Sequence, residues 1–292
     1  VVNFNAKEHL VRCVASLFDE GLRCVVVADN GSTDGSEMAL LERCPQAKWV
    51  PTGSNLGYGG AADIGAALVD AKYMLVCNPD VVVGENTVAA LCQLLDARPE
   101  VALVGPRIVD AGGRLYPSAR RFPGLLDAVG HGIVGQFWAG NPFSRRYRME
   151  EWDHAEVADV DWVSGSFFLV RKAVWDAVGG FDTAYFMYME DVDLCWRLRE
   201  AGWVVTYEPR AQVVHVQGVS ADRHPYRMLL AHHASMWRYA RTRTEGRERW
   251  LLAFVLPGLA LRLGLTSARR ALGGAPWHRA LRGRSTPSHA KG

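Results

Sequence analysis

Short apolar runs alternate with helical-period segments over the first 110 residues, and few folds accommodate that rhythm. Residues 1–4 are apolar and β-rich, residues 6–20 carry Leu10, Val14 and Leu17 at helical spacing, and residues 24–28 form a continuous buried-strand run. A helix is then expected over 36–44, extended chain over 48–51, a helix over 61–72 and a strand over 73–77. A helix over 87–97 and a strand over 101–104 complete the series. Such alternation predicts an α/β fold, a doubly wound and mostly parallel sheet flanked by helices. Ligands of these sheets bind beyond the C-terminal ends of the strands, so the loops there are read first.

Three of those loops carry polar chemistry. Asn3 and Asn5 follow the first strand, Asp29-Asn30-Gly31-Ser32-Thr33-Asp34-Gly35 the second, and Asn78-Pro79-Asp80 the fourth. Each alone is an ordinary turn, since Asn, Gly, Ser and Asp are turn formers. Together they put one acid at the end of strand two and another at the end of strand four, expected on the same edge of one sheet. A nucleotide carrying a divalent cation on its diphosphate needs that arrangement. Asp29 can accept from a base imide N–H, and Asp80 can offer hard oxygen to Mg²⁺ or Mn²⁺. The Gly-rich run with Asn55, Gly57, Gly59 and Gly60 lacks the P-loop Lys-Ser/Thr and reads as a helix-entry loop permitting close backbone approach.

A second acidic centre lies downstream. Tyr185-Phe186-Met187-Tyr188-Met189 runs into Glu190, Asp191 and Asp193, and Leu194 with Leu198 marks the segment as a helix. Acids in a first helical turn often only complement the dipole. Here the aromatic approach half-buries them, and a half-buried carboxylate beside a cleft makes a good general base. Glu190 and Asp191 point about 100° apart on a helix, so one of the two faces a substrate directly. Asp193 is placed to cap the helix or to pair with Arg197.

The ordered set Asp29-Asn30-Gly31-Ser32-Thr33-Asp34, Asn55-Leu56-Gly57, Asn78-Pro79-Asp80, Gly179-Gly180-Phe181-Asp182 and Met189-Glu190-Asp191-Val192-Asp193 resembles the family 2 glycosyltransferases over residues 1–220. The resemblance implies a GT-A fold, a nucleotide-diphosphate sugar donor, a divalent cation (Mg²⁺ or Mn²⁺) and inversion at the anomeric carbon. Carried over, Asn3, Asn5, Asp29, Asn55, Gly57, Asn78 and Asp80 bind the nucleotide sugar, with Asp29 on the base. Asp80 and His215 hold the metal, and Asp191 is the catalytic base with Glu190 beside it. Asp63 departs from the pattern, since relatives often carry Asn there. Tyr116-Pro117-Ser118-Ala119-Arg120, the stretch from Trp138 to Pro142, and His232-His233 resemble one subgroup. Its members are rhamnosyltransferases acting on polyprenyl-diphosphate-linked N-acetylglucosamine in the linker between peptidoglycan and arabinogalactan. That subgroup implies dTDP-rhamnose as donor and a lipid-linked saccharide as acceptor.

Acceptor contacts are expected from Trp162, Ser164 and Gly165, in a turn leading into a strand at 167–170 that is read as lining donor or acceptor. His232, His233 and Arg238, on a helix over 225–243, stand available to a diphosphate. The division expected is a catalytic domain over 1–222, with a nucleotide-sugar half near 1–110 and an acceptor half near 111–222. A helical basic extension over 223–292 follows, its last dozen residues disordered.

Charge separates the two parts. Residues 223–292 carry 14 Lys and Arg against 2 Asp and Glu, while residues 1–222 carry 19 against 29. A basic tail suits a negatively charged partner. The aliphatic run at 250–261, flanked by Arg247, Arg249, Arg262, Arg269 and Arg270, favours a lipid interface over nucleic acid. Pro257-Gly258 is expected to break it, and no tract reaches bilayer-spanning length. The six cysteines are scattered, and Cys24 and Cys77, in strand-like runs, are expected as buried free thiols in a reducing cytoplasm. Location is therefore expected at the inner face of the cell membrane, peripherally attached. Because residues 1–4 already read as a strand and begin on Val1, a short preceding segment is expected. Three rivals remain: a family 2 enzyme using another nucleotide sugar for a different surface polysaccharide, a nucleotidyltransferase, and a basic-tailed nucleic-acid-binding protein. The second would show a Gly-rich loop with Arg and Lys after strand one, where this chain has Asn3-Phe4-Asn5-Ala6-Lys7. The third leaves Asp29, Asp80 and Asp191 idle.

Overall fold

Side-chain alternation along a single strand shows how the layers are built. In Phe167–Arg171, Phe167 and Leu169 pack with Leu10, Leu40 and Leu91, while Phe168 and Val170 pack with Trp175, Phe181 and Leu194. Successive strand residues face opposite sides, so this strand is covered on both. The computed structural model describes residues 1–122, 141, 145, 149, 152–216 and 225–271.

Strands β1 (Val2–Asn3), β2 (Val26–Asp29) and β3 (Lys48–Pro51) form a parallel three-stranded sheet in that order. Helices α1 (Lys7–Asp19) and α2 (Ser36–Arg43) connect them, α1 burying Leu10, Cys13, Val14 and Leu17. After α3 (Gly57–Ala66), the strands β4 (Tyr73–Cys77), β5 (Val81–Val83) and, following α4 (Thr87–Ala97), β6 (Val101–Val109) enter a second sheet. Two short strands, β7 (Leu115–Tyr116) and β8 (Ala119–Arg120), lead away; β9 (Ala158–Val160), β10 (Trp162–Val163) and β11 (Phe167–Arg171) return. Helices α5 (Lys172–Val178) and α6 (Glu190–Glu200) precede the long strand β12 (Val204–His215). The second sheet runs β4-β11-β6-β12-β5, with β7 on β6 and β9 on β12; β10 pairs β8 separately.

The α/β class holds, with strand directions more finely divided than expected. β4, β6 and β12 share one direction, while β11 is antiparallel to β4 and β6, and β5 to β12. The acids after β2 and β4 therefore end strands of two separately hydrogen-bonded sheets, not one. Only two residues of β1 make sheet bonds, and β4 takes its partner from β11. The helix expected over 61–72 begins earlier, at Gly57, and ends at Ala66. The strand expected from Cys24 starts at Val26, so Cys24 is exposed; Cys77 is buried as expected. Pairing His215 with Val81 brings the end of β12 beside Asp80.

Helix α7 (Pro225–Arg243) is clasped to the segment before α6. Ser235 Oγ donates to the Met187 carbonyl at 2.9 Å, and the Arg227 guanidinium lies 5.2 Å from the Phe186 ring. A 3₁₀ turn, Gly246–Leu251, leads to α8 (Leu252–Ala271), which continues through Pro257 where a break was expected. Pro257, sixth in this helix, removes one i→i−4 hydrogen bond without ending it. An 18-residue window within the 20-residue stretch Arg249–Ala268 has mean hydropathy 1.7, and by length and composition alone suffices to cross a bilayer, where no tract of that length was expected. Only 17% of it is buried, and Trp250, Phe254, Leu256 and Leu261 are each more than half exposed. The expected disordered dozen at the end, with Trp138 and Pro142, lies outside the described residues.

Gly57 is where close approach is most demanding. Its φ is +82°, and a Cβ there would sit 2.2 Å from the Phe186 carbonyl oxygen. Gly53 has a similar φ of +80° with nothing within 4 Å. Gly53→Ala is expected to cost about 1 kcal/mol for the left-handed backbone alone, and Gly57→Ala about 3 kcal/mol, in urea denaturation. Equal costs would mean that the contact with Phe186 contributes nothing.

Candidate active site

The loops after β1 and β2 are locked to each other by Asp29. Its Oδ1 accepts from Asn3 Nδ2 at 2.8 Å and from the Ser32 hydroxyl, and its Oδ2 accepts from the Ser32 amide at 2.9 Å. Asn5, at φ +53°, accepts from the Thr33 amide at 2.8 Å and donates its own amide to Ser32 Oγ at 2.8 Å. Asn3, Asn5 and Asp29 are thus brought together as expected. Ser32, which sequence reading treated as part of a turn, is the hub joining them.

The next link runs through Asn30. Its Nδ2 donates to the Gly57 carbonyl at 2.8 Å, and its Oδ1 accepts from the Leu56 amide at 3.1 Å. Asn55 Oδ1 accepts from the Gly57 amide at 3.0 Å, so Asn55 shapes the helix entry. Tyr58 then donates to the Gly165 carbonyl at 2.6 Å, a contact that its place in a Gly-rich loop did not reveal.

Asp80 and His215, 135 positions apart, meet with 3.0 Å between Oδ1 and Nε2. Asn78 Nδ2 lies 3.4 Å from the same His215 nitrogen. Burial alone raises the Asp80 carboxyl, but the charge and hydrogen bond of His215 outweigh it and hold Asp80 below its ordinary value. A hard carboxylate oxygen and a borderline imidazole nitrogen brought side by side are donors that could together hold a divalent cation. Among the described residues no cluster of three or more His, Cys, Asp or Glu side chains gathers. A cation held here would complete its shell with phosphate oxygens and water, as Mg²⁺ commonly does.

Asp191 sits at the start of α6, half-buried. Its Oδ2 accepts from the Gly165 amide at 2.8 Å and its Oδ1 from the Val192 amide at 2.9 Å. Burial pushes its carboxyl up; the two amides and the Arg120 charge pull against that without reversing it. Glu190 is 5% exposed, its Oε2 has no partner among the described residues, and burial plus the Asp191 charge push its carboxyl well up. Neighbouring acids in one helical turn therefore differ in access: Asp191 is half-buried and hydrogen-bonded at both oxygens, while Glu190 is buried, and burial raises both carboxyls. Tyr188 and Met189, at φ +67° and +69°, aim the helix start. Such non-glycine conformations cost about 1–3 kcal/mol each and cluster at functional sites. Asp193 takes the pairing option: Arg197 Nε binds it at 2.8 Å, and Arg243 of α7 binds its other oxygen.

The Ser-Gly-Ser turn lies beside Asp191 as expected, with Ser164 and Ser166 hydroxyls 2.9 Å apart and the Asn78 amide donating to the Ser166 carbonyl at 2.9 Å. Other expected acceptor residues are otherwise engaged. Trp162 is buried, donating Nε1–H to the Arg121 carbonyl at 2.9 Å. Arg238 is committed to Asp182 at 2.6 Å, an ion pair invisible in sequence because its partner is 56 positions away. His233 is buried, hydrogen-bonded to the Leu229 carbonyl at 2.8 Å and pushed towards the neutral form by burial, so it is no ready phosphate cation. His232 lies 5.1 Å from the Tyr188 ring, close to the start of α6. Asp63 accepts from the Phe181 amide at 3.1 Å, and burial pushes its carboxyl up to about 6 despite that bond and Arg197. An amide oxygen could accept the same bond.

Comparison with known proteins agrees with this geometry. The model described as "Glycosyltransferase like family 2" matches residues 1–249. The N-acetylglucosaminyl-diphospho-decaprenol L-rhamnosyltransferase of Mycobacterium tuberculosis is 42% identical, covering 92% of this chain and 93% of that protein. Among solved structures, the Pyrobaculum calidifontis mannosyltransferase PcManGT, in complex with GDP-Man and Mn²⁺, superposes with a TM-score of 0.57 at 16% identity, covering 96% and 76% of the two chains. GalNAc-T7 with UDP, GalNAc and Mn²⁺ gives 0.56 at 16%, covering 73% and 42%. These two likenesses concern the fold.

Asp191 must be ionised to take a proton, and its raised pKa moves that requirement upward. As pH falls, kcat/KM is expected to drop with a midpoint above the ordinary Asp value of about 3.9. Asp191→Asn should fold normally, lose roughly 10²–10⁴ in kcat and lose that acid limb. Glu190→Gln should act more on acceptor KM. Near-normal kcat in Asp191→Asn with a dead Glu190→Gln would reverse the two roles.

Proposed function

This chain belongs to glycosyltransferase-like family 2, and we propose that it transfers L-rhamnose, with inversion, from dTDP-rhamnose to N-acetylglucosamine linked through a diphosphate to a polyprenyl lipid. That it is a glycosyltransferase of GT-A fold follows from the family and its structural neighbours. The donor sugar and acceptor rest on one observation, the 42% identity to the mycobacterial rhamnosyltransferase across nearly the whole of both chains.

The residues divide the work in a consistent way. Asp191 accepts the proton of the acceptor hydroxyl as that oxygen attacks the anomeric carbon on the face opposite the leaving group. The Gly165 and Val192 amides fix both carboxylate oxygens of the base, so it is already oriented when substrate arrives. Asp80 and His215 would hold a divalent cation, which when bound neutralises charge developing on the departing diphosphate. Asn3, Asn5, Asp29 and Asn78 shape the loops around the nucleotide. We read the extension as serving attachment: Arg247 and Arg249 stand exposed just before the exposed apolar face of α8, while Arg262 is buried against Met236, and this suits a helix lying at an anionic membrane surface on the side where nucleotide sugars are made.

Three outcomes are expected. From a panel of nucleotide sugars, dTDP-rhamnose alone should support transfer to a polyprenyl-diphosphate N-acetylglucosamine; turnover of another donor in its place would overturn the sugar assignment. Excess EDTA should abolish transfer, and Asp80→Asn, which leaves the buried His215 a hydrogen-bond partner, should weaken donor binding in the presence of the cation. Replacing the exposed Phe254 and Leu261 together by Glu should release the protein from phosphatidylglycerol vesicles in flotation, and salt should weaken attachment of the parent chain.

A further inference from the structure

Arg120 occupies a position that the chemistry described above does not use. It lies on β8, opposite Trp162 of β10, and the Ser164 amide donates to the Ser118 carbonyl at 2.8 Å. This short ribbon therefore runs straight into the turn whose Gly165 amide holds Asp191. The guanidinium is fixed before any ligand arrives. Its Nε donates to the Pro117 carbonyl at 2.7 Å and its Nη2 to the Tyr116 hydroxyl at 3.2 Å. It also lies 5.5 Å from the Tyr116 ring centre and 5.2 Å from that of Trp162. An arginine ordered in this way loses little entropy on meeting a ligand, and its planar fork matches phosphate oxygens.

The order of contacts along the turn says which phosphate. Trp162 faces Arg120, Gly165 holds Asp191, and Ser166 meets Asn78, the residue leading to Asp80. Along the turn, the contact to Asp191 thus falls between the one that leads to Arg120 and the one that leads to the Asp80–His215 pair. A donor diphosphate belongs with that pair, so an anion at Arg120 comes with the acceptor. We propose that Arg120 binds the diphosphate of the lipid-linked acceptor, on the side of Asp191 away from Asp80 and His215. This rests on the acceptor named under the proposed function. Arg120 would hold the acceptor by its charged end, so that a sugar hydroxyl one ring away reaches the base.

The test compares two acceptors on the full chain: a short-chain polyprenyl-diphosphate N-acetylglucosamine and a neutral alkyl N-acetylglucosaminide. The readout is the ratio of their kcat/KM values, in which losses through Asp191 or through folding cancel. Arg120→Gln is expected to shrink the preference for the charged acceptor about 10- to 100-fold, and Arg120→Lys to keep part of it. An unchanged ratio would overturn the proposal, whatever the absolute rates. Calorimetry with geranyl diphosphate in EDTA gives a reading independent of turnover, since any lipid contact at α8 is common to both proteins. The parent chain should bind it at least tenfold more tightly than Arg120→Gln, and equal affinities, including no binding by either, would overturn the proposal. Absence of transfer to both acceptors by the parent chain would sink the acceptor reading, leaving calorimetry to decide on Arg120.

Discussion

One hydrogen bond, from the Gly165 amide to Asp191 Oδ2 at 2.8 Å, joins the two halves of the site. Its donor belongs to a three-residue turn between β10 and β11; its acceptor opens α6. The flanking groups of that turn are also committed. Gly165 accepts from the Tyr58 hydroxyl, and Ser166 accepts from the Asn78 amide. Helix α3, the loop before Asp80 and Asp191 are therefore referenced to the same two residues, Gly165 and Ser166. A Cβ at position 165 would lie 3.1 Å from the Asp191 Cβ, so the absence of a side chain there sets how near the base can come.

The helix carrying that base begins under strain and is held down by charge. Two consecutive left-handed residues and the buried Glu190 carboxyl all oppose its placement. Against them stand Leu194 and Leu198 in the core and the Asp193 carboxylate between two guanidinium groups. Breaking a buried pair by removing one partner typically costs 3–5 kcal/mol, comparable with the strain of about 1–3 kcal/mol at each left-handed residue. The position of Asp191 is thus a compromise between local backbone preference and long-range pairing.

What could be read from the chain followed the range of the interaction. The i, i+4 pairing of Asp193 with Arg197 needed only helical spacing, and the alternation of strand and helix gave the fold class. The apolar run at 167–170 announced burial on both faces but not direction, so the antiparallel placement of β11 was hidden. Cys24 misled because an apolar neighbourhood does not say where hydrogen bonding starts. Asp80 with His215 came from resemblance alone, since nothing local links residues so far apart. Arg238 was misread for the matching reason: a basic residue beside histidines looks available until its carboxylate, on another element, is seen. Pro257 is a third kind of error, a helix breaker in sequence that α8 accommodates at the loss of one backbone bond.

The second guanidinium on Asp193 has a consequence for biosynthesis. Arg243 lies 50 residues downstream of the acid it neutralises, beyond the last strand of the sheet. During translation, every strand of both sheets can pair while that acid still has only its helical neighbour. Helix α6 is therefore among the last parts of the molecule to reach its final charge balance, after the loops that follow β1, β2 and β4 are made. A chain released early, ending after β12, would carry those loops finished beside an Asp191 whose helix is not yet neutralised.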